Sequence, residues 1–283
     1  MKYYIVAGEA SGDLHGSNLM KELKIQDSNA EFRFFGGDLM KSVGGELVNH
    51  YKETAFMGFI PVILNLRTIL RNIRKCQQDI LSFKPDVLIL IDYPGFNLKI
   101  ARFAFENGLR VHYYISPKIW AWKERRIKQI KAYVHKMITI LPFETEFYKG
   151  HGMAVDYVGN PLFDQISEFK KTASKIDSAK PILAVLPGSR KMELERMLPT
   201  MAKAAKLMED EYSIYIAATP DFDVEFYESL IGDLKANFVV GETYKLLNSA
   251  RIGIITSGTA TLEAAIFKVP QVICYHGPAL VVA

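Results

Sequence analysis

Short apolar runs alternate with longer segments of helical period along almost the whole chain. The runs are continuous, as in VLILID at Val87–Asp92, and strands that are buried on both faces have this pattern. Because crossover helices cover such strands, the pattern predicts an α/β fold with parallel sheets. The predicted strands are Tyr3–Ala7, Arg33–Gly36, Val87–Asp92, Val111–Ile115, Lys136–Ile140, Asp156–Val158, Ile182–Leu186, Ser213–Ala218, Phe238–Val240, Ile252–Thr256 and Gln271–Cys274.

Helical period fills most of the segments between these strands. The predicted helices are Leu14–Lys24, Asn65–Ser82, Asn97–Asn107, Lys123–Ala132, Glu193–Asp210, Val224–Leu234 and Thr259–Phe267.

The alternation is interrupted once, by the polar and lysine-rich stretch Gly159–Pro181. We expect two successive doubly wound, Rossmann-like domains: residues 1–160, a linker with one amphipathic helix at 161–180, and residues 181–283. Few residues follow the last predicted strand, so we expect the second domain to be incomplete at its C-terminal end, with an uncovered apolar face or sheet edge.

Composition narrows the choice of function only a little. The net charge of +4 is too small to indicate a nucleic-acid partner. Cys76 and Cys274 are far apart and favour a reducing, cytoplasmic setting. The longest uncharged stretch, Thr54–Leu66, is too short to span a bilayer and contains Pro61. No two of the six histidines have metal-ligand spacing, so the sequence does not support a metal site. We also predict no cofactor.

The loop after the first strand carries three glycines and two acids. The glycine spacing of four, at Gly8, Gly12 and Gly16, matches neither the dinucleotide-binding nor the P-loop pattern. Glu9, Ser11 and Asp13 offer hydrogen-bond acceptors, which suit the hydroxyls of a sugar better than a phosphate. Ser11 or Asp13 would also suit the N-cap of the next helix, and the two roles are compatible.

Asp92 ends a strand that we expect to be buried on both faces, where a carboxylate is costly unless it is paired or functional. Burial raises a carboxyl pKa, which suits a general base near neutral pH. The alternative is that the carboxylate accepts backbone N–H groups in the turn at Pro94–Gly95.

Two loops of the second half resemble anion sites. Gly188 and Ser189 follow a strand and open a helix, and Arg190 adds a bidentate donor with no acid on the loop. A second strand-to-helix loop carries Ser257, Gly258 and Thr259, with Glu263 one turn deeper on the same helix face. These residues would suit a diphosphate and ribose hydroxyls, although ordinary βα turns have similar sequences.

Two further motifs have simpler explanations. The DFD sequence at Asp221–Asp223 precedes a helix and is better explained as an N-cap with acids in the first turn than as a metal site. Trp120 and Trp122 lie two residues apart, so in an extended segment only one of them would be free to stack on a sugar.

Seven motifs in this order resemble the lipid A disaccharide synthase family: VAGEASGDLHG, IDYPGFN, HYYISPKIWAWKERRIKQI, LPFE, VGNPLFD, LPGSR and SGTATLEAA. The resemblance covers Lys2 to Tyr275 and implies a two-Rossmann, GT-B type, inverting glycosyltransferase of lipopolysaccharide biosynthesis that uses no metal. Its substrates would be UDP-2,3-diacylglucosamine and 2,3-diacylglucosamine 1-phosphate, and its products the β-1,6-linked disaccharide and UDP. The resemblance implies catalytic roles for Glu9, Ser11 and Asp92, the last as general base, and a diphosphate contact by Arg190.

The resemblance also implies an acceptor and acyl-chain side, to which we assign Asp13, Met57, Gly58, Phe59, Asn97 and Trp120. The apolar stretch Phe56–Leu70 ends among Arg67, Arg71, Arg74 and Lys75, which suits either an anionic membrane surface or a core helix with a charged outer side. We therefore expect a peripheral protein on the cytoplasmic face of the inner membrane. A homodimer is compatible with the sequence, which does not determine the oligomeric state. Gly95 and Pro61 stand where many family members have an acid.

Three alternatives stay open. A UDP-sugar epimerase of the same fold would act without an acceptor, and a truncated, inactive remnant would bind UDP only. A nicotinamide-dependent dehydrogenase would use the first glycine loop and Asp38, but the acids of that loop argue against it.

Overall fold

The computed structural model describes residues 1–53 and 66–276, and the chain divides into two compact units, Met1–Pro161 and Leu162–Ala283. In each unit the described strands form one wholly parallel sheet. The predicted α/β class with two doubly wound units is confirmed.

The sheet of the first unit has seven described strands in the order β3-β2-β1-β4-β5-β6-β7. The strands are β1 Lys2–Ala7, β2 Glu31–Gly36, β3 Glu46–His50, β4 Val87–Ile91, β5 Val111–Tyr114, β6 Lys136–Thr139 and β7 Asp156–Tyr157. The helices are α1 Ala10–Gln26, α2 Asp38–Val43, α3 Leu66–Phe83, α4 Pro94–Glu106, α5 Ile127–Tyr133 and α6 Pro142–Gly150, with 3₁₀ turns at Tyr51–Glu53 and Glu124–Arg126.

Both faces of this sheet are buried, which explains its continuous apolar strands. Along β1, Tyr4 and Val6 pack on the face covered by α3 and α4, whereas Tyr3 and Ile5 pack on the other face. The strand order reverses between β1 and β4. At such a switch point the crossover helices diverge and leave a crevice beyond the carboxyl ends of the two strands.

The second unit has five described strands in the order β10-β9-β8-β11-β12. They are β8 Ile182–Leu186, β9 Ser213–Ala218, β10 Asn237–Val240, β11 Ala250–Thr256 and β12 Gln271–Cys274. The helices are α7 Pro161–Thr172, α8 Lys191–Lys206, α9 Val224–Ile231, α10 Thr243–Ser249 and α11 Thr259–Ile266. The switch point of this sheet lies between β8 and β11.

The edge strand β12 exposes apolar side chains, with Val272 65% and Ile273 55% accessible to solvent. The pattern of apolar and polar positions does not predict four of the described strands and helices: β3, α2, α6 and α10. The three helices have nine residues or fewer, which is too short for a clear helical period.

Candidate functional site

The candidate site of the first unit lies beyond the carboxyl ends of β1 and β4. These strands pair with Ala7 opposite Ile91, so the residues that follow them, including Glu9 and Asp92, lie beside each other at the switch point. Ser11 donates its hydroxyl to the Glu9 carboxylate at 3.1 Å. Two acids and a hydroxyl thus meet where an α/β sheet binds its ligand.

The glycines of the first loop permit close packing. A Cβ at Gly8 would lie 2.2 Å from the ring of Tyr93, and a Cβ at Gly16 would lie 2.6 Å from Sδ of Met40. Both distances are far below van der Waals contact, so only glycine lets these side chains approach the first strand and helix. Close packing therefore accounts for Gly8 and Gly16, two of the three glycines, without a phosphate.

The N-cap prediction for this loop is wrong. Helix α1 begins at Ala10 with Glu9 as its N-cap, and Ser11 and Asp13 lie inside the helix. Asp13 is only 3% exposed, and its carboxylate accepts the backbone N–H groups of residues 37, 39 and 40 at 2.7, 3.0 and 3.1 Å. A buried carboxylate at the start of α2 satisfies donors that the helix itself leaves unpaired. The assignment of Asp13 to the acceptor side is thus replaced by a structural role.

Asp92 is half-buried directly after β4. The pKa of Asp92 is raised to about 6, mainly by burial and then by the neighbouring charge of Glu9, whereas Lys118 and the N–H of Tyr93 oppose the shift. The expectation that burial raises this pKa is confirmed. A carboxyl group that loses its proton near pH 6 is suited to accept a proton at neutral pH.

The chain leaves β4 and β5 through strained backbone. Asp92, Tyr93 and Ile115 have φ values of +42°, +47° and +65°. Such left-handed residues other than glycine cost roughly 1–3 kcal/mol each, and the β-branched Ile115 is the least suited of the three. Strain of this kind persists only where surrounding contacts enforce it, and three of the six described non-glycine residues with positive φ lie at the ends of β4 and β5.

Asn97, which the sequence analysis places on the acceptor side, is a buried residue whose side-chain amide donates to backbone carbonyls. It is 0% exposed, and Nδ2 donates to the carbonyls of Asp92 at 2.8 Å, Ile91 at 3.1 Å and Val6 at 3.4 Å. It stands in the first turn of α4, and helical side chains point back toward the helix N-terminus. It therefore reaches under the end of β4 rather than outward.

Glu144, the acid of the LPFE motif, is a buried residue whose role the sequence does not predict. Glu144 is 1% exposed and accepts the backbone N–H groups of Ile140 and Leu141 ahead of α6. Burial raises its pKa, and these two N–H groups, the Trp120 indole and the Ser116 hydroxyl lower it. The sequence signal for this role is an acid at the third position of a helix, where its carboxylate can accept N–H groups that precede the helix.

The expectation that only one tryptophan is free is wrong, because residues 119–122 form a turn rather than an extended segment. Trp120 is 38% exposed and packs edge-to-face on Phe143 with ring centroids 4.8 Å apart. Trp122 is 59% exposed, and the ammonium of Lys123 lies 4.2 Å from its ring centroid. Both rings are accessible, and Trp120 is the one that Glu144 orients.

In the second unit, the two predicted anion loops follow neighbouring strands. β8 and β11 pair with Leu186 opposite Ile255, so the two loops meet at the switch point. Helix α11 begins at Thr259 with Gly258 as its N-cap, and residues 257–259 are exposed. Exposed N–H groups at the start of a helix can receive an anion.

The first of these loops differs from its prediction in two respects. Helix α8 begins at Lys191 with Arg190 as its N-cap, so Gly188 and Ser189 precede the helix instead of opening it. Glu193 in the first turn pairs with Arg190, with Nη1 and Oε1 2.9 Å apart. The Arg190 side chain is 50% exposed and that of Glu193 is 33% exposed, and ion pairs at the surface contribute little to stability.

Glu263 lies on α11 one turn after Thr259, and it is half-buried rather than fully solvated. Tyr244 donates its hydroxyl to Oε1 of Glu263 at 3.2 Å, and burial raises the pKa of Glu263. The Tyr244 ring packs edge-to-face on Phe169 with centroids 5.6 Å apart. The carboxyl group is thus held by an aromatic cluster that the sequence did not predict.

Some predictions lie outside the described residues: Met57, Gly58, Phe59, Pro61 and most of the apolar stretch Phe56–Leu70. Within residues 1–53 and 66–276, no group of three or more His, Cys, Asp and Glu side chains is arranged to hold a metal ion. No helix of these described ranges has both the length and the apolar character that a membrane span needs.

Two successive doubly wound parallel units, each with its candidate site at the switch point, are typical of the GT-B class of α/β proteins. The sequence model of the family described as Lipid-A-disaccharide synthetase matches residues 3–281. Lipid-A-disaccharide synthase 1 of Legionella pneumophila (strain Lens) is 37% identical over 284 residues, which cover 96% of this chain and 73% of the relative. The lipid-A-disaccharide synthase of Geobacter metallireducens is 37% identical over 282 residues, with the same two coverages. The chain belongs to the lipid-A-disaccharide synthase family.

Among solved structures, the UDP-GlcNAc 2-epimerase from Neisseria meningitidis bound to UDP-GlcNAc matches with a TM-score of 0.71 at 12% identity. The match covers 96% of this chain and 82% of the epimerase. At this identity the likeness is one of fold alone.

Proposed function

We propose that the protein is an inverting glycosyltransferase of lipid A biosynthesis. It joins UDP-2,3-diacylglucosamine to 2,3-diacylglucosamine 1-phosphate and releases UDP. The acceptor 6-hydroxyl forms a bond to the anomeric carbon of the donor, and the bond from that carbon to the diphosphate breaks. Family membership supports the reaction, and the geometry of the described residues supports the roles below.

Asp92 is the general base in this proposal. Its carboxylate takes the proton of the acceptor hydroxyl as the oxygen attacks, and Glu9 and Ser11 bind sugar hydroxyls beside it. The observation that carries the proposal is a half-buried acid at the switch point whose pKa is raised to about 6 by burial. Such a group is ionised at neutral pH yet basic enough to accept a proton in the transition state.

The second unit stabilises the leaving diphosphate. The exposed loop Ser257–Thr259 donates backbone N–H groups, and Arg190 adds a planar cation at the end of the neighbouring strand. Donors fixed where negative charge develops lower the barrier to departure. Gly188 and Ser189 allow the backbone to approach the diphosphate, and Glu263 accepts ribose hydroxyls.

Incubation of the purified chain with both substrates tests this reaction, with the disaccharide detected by mass spectrometry. We expect Asp92→Asn to lower turnover by roughly 10²–10⁴, the contribution of a general base, with UDP binding retained. Asp86→Asn is the matched control, because Asp86 is an exposed acid at the opposite end of the same strand. Equal turnover in Asp92→Asn and Asp86→Asn would remove Asp92 from the mechanism.

The assay also distinguishes the alternatives. Product that requires the acceptor supports transfer, whereas epimerised donor without acceptor supports an epimerase. UDP binding without either product contradicts catalysis by this chain and supports a nucleotide-binding protein.

The proposal includes peripheral binding to an anionic membrane surface on the cytoplasmic side. Its support is the exposed face of α3, where Arg67, Leu70, Arg71, Arg74 and Lys75 line a depression of about 510 Å³. Clustered basic residues near a headgroup layer contribute about 1 kcal/mol each to binding anionic lipid.

Vesicle sedimentation tests the membrane surface directly. We expect the chain to sediment with phosphatidylglycerol vesicles but not with vesicles of pure phosphatidylcholine. The double variant Arg71→Glu and Arg74→Glu should no longer sediment with phosphatidylglycerol vesicles. The control, Lys203→Glu with Lys235→Glu, reverses two exposed charges of the second unit and should leave sedimentation intact. Equal sedimentation of both double variants would contradict the assignment.

A homodimer completes the proposal. The exposed apolar side chains of Val272 and Ile273 on the edge strand β12 support it, because exposed edges favour pairing with another chain. Light scattering should give twice the chain mass for wild type and the chain mass for Val272→Ser with Ile273→Ser. A monomer in both proteins would rule out the dimer.

A further inference from the structure

We propose that Tyr113 and Asn97 are positioning residues, which hold the backbone of Asp92 in the conformation that presents its carboxylate at the switch point. This inference rests on the proposed role of Asp92 as general base. Both residues lie outside the reach of a substrate, since each is 0% exposed.

The backbone of Asp92 is bonded on both sides. Its N–H donates to the carbonyl of Tyr114 at 3.2 Å, which extends the β4–β5 pairing by one residue beyond the strand end. Its carbonyl accepts two donors, the Tyr113 hydroxyl and Nδ2 of Asn97 at 2.8 Å. The residue is therefore held at both peptide groups while its side chain makes none of these bonds.

The two donors come from independent elements. Tyr113 lies on β5, the neighbour of β4, and Asn97 lies in the first turn of α4, the helix that follows Asp92. Asn97 also donates to the carbonyl of Ile91 at 3.1 Å, so it binds the last strand residue as well. Strand and helix thus converge on one carbonyl group.

This convergence explains how a disfavoured backbone conformation is maintained. Asp92 and Tyr93 are both left-handed, with φ values of +42° and +47°, although neither is glycine. Residues in this region persist only where the surrounding structure enforces them. Without the two donors the chain can relax toward ordinary φ, which moves the carboxylate away from its position beside Glu9.

Tyr113→Phe is the sharpest test, because it removes one hydroxyl and keeps the buried ring. We expect kcat to fall by about tenfold or more, as small displacements of a catalytic group do, with KM for both substrates within about twofold. The matched control is Tyr4→Phe, which removes a hydroxyl of equal burial from β1 in the same core. Tyr4→Phe should leave kcat unchanged.

A double-mutant cycle separates positioning from a general loss of structure. In the Asp92→Asn background, Tyr113→Phe should cause no further loss of turnover, because no base is left to position. Asn97→Ala is expected to behave in the same way, and if it fails to fold, Tyr113→Phe alone decides. Full kcat in Tyr113→Phe, or an equal loss with and without Asp92, would overturn the proposal. Full turnover in Asp92→Asn alone would instead overturn the proposed function.

Discussion

Asp92→Asn is expected to make the protein more stable while it removes the proposed base. The pKa of Asp92 rises from an ordinary 3.8 to about 6 in the folded chain, mainly through burial. The ionised carboxylate is therefore less stable in the folded chain than in the unfolded chain, although it is the main form in both at neutral pH. A difference of about two pKa units corresponds to about 3 kcal/mol, because each unit is worth about 1.4 kcal/mol. An amide of the same shape carries no charge and avoids this loss.

The direction of the pH dependence follows from the raised pKa. Between pH 4 and 6 the folded chain binds more protons at Asp92 than the unfolded chain does, so wild type loses stability as the pH rises. The advantage of Asp92→Asn should be absent below about pH 4, grow through that window, and be complete above about pH 6.

Thermal unfolding at pH 4, 5 and 7.5 measures this advantage. For a unit of this size, about 3 kcal/mol corresponds to a rise in Tm of roughly 6–12 °C at pH 7.5. Asp86→Asn is the control and should not raise Tm, because Asp86 is exposed and accepts the N–H of Lys2. A Tm of Asp92→Asn at or below that of wild type at pH 7.5 would refute the reasoning, as would an equal gain at pH 4.

Three other substitutions test single contacts. Glu9→Gln removes a charge that raises the pKa of Asp92, so the fall of kcat/KM at acidic pH should begin at a lower pH than in wild type. An unchanged pH profile would contradict the interaction between Glu9 and Asp92. Gly8→Ala places a Cβ 2.2 Å from the Tyr93 ring and should destabilise the chain by about 1–3 kcal/mol in urea unfolding, whereas a neutral effect would show that the ring can move. Asp13→Asn weakens the hydrogen bonds at the start of α2 and should lower the free energy of unfolding by about 2 kcal/mol. An unchanged free energy of unfolding together with lost activity would indicate instead that Asp13 binds the substrate.

The fold could be predicted because its signals are local. Continuous apolar strands such as Val87–Ile91 identify a parallel sheet by themselves, and a polar, lysine-rich stretch stands near the division between the two units. Helix α2 has only six residues, and the carboxylate that satisfies its start belongs to Asp13, twenty-five residues before its first residue. No window along the sequence contains both partners of such a contact.

The candidate site could be predicted in its position but not in its inner contacts. The position of Asp92 at a strand end gave its raised pKa, since burial at that point follows from the strand pattern. Asn97 could not be told from a ligand contact, because a polar residue after a strand end suits either use until its burial is known. The loop of Arg190 contains no acid in the sequence, but Glu193 follows three residues later in the first turn of α8, where helical geometry places it beside Arg190.

The most direct test of the central claim is the pH dependence of kcat/KM for disaccharide formation by the wild-type chain and by Asp92→Asn. If Asp92 takes the proton of the acceptor, the wild-type rate falls tenfold per pH unit below about pH 6, and the residual rate of Asp92→Asn lacks this limb. A wild-type profile that stays flat down to pH 5, or a limb that survives in Asp92→Asn, would contradict the account.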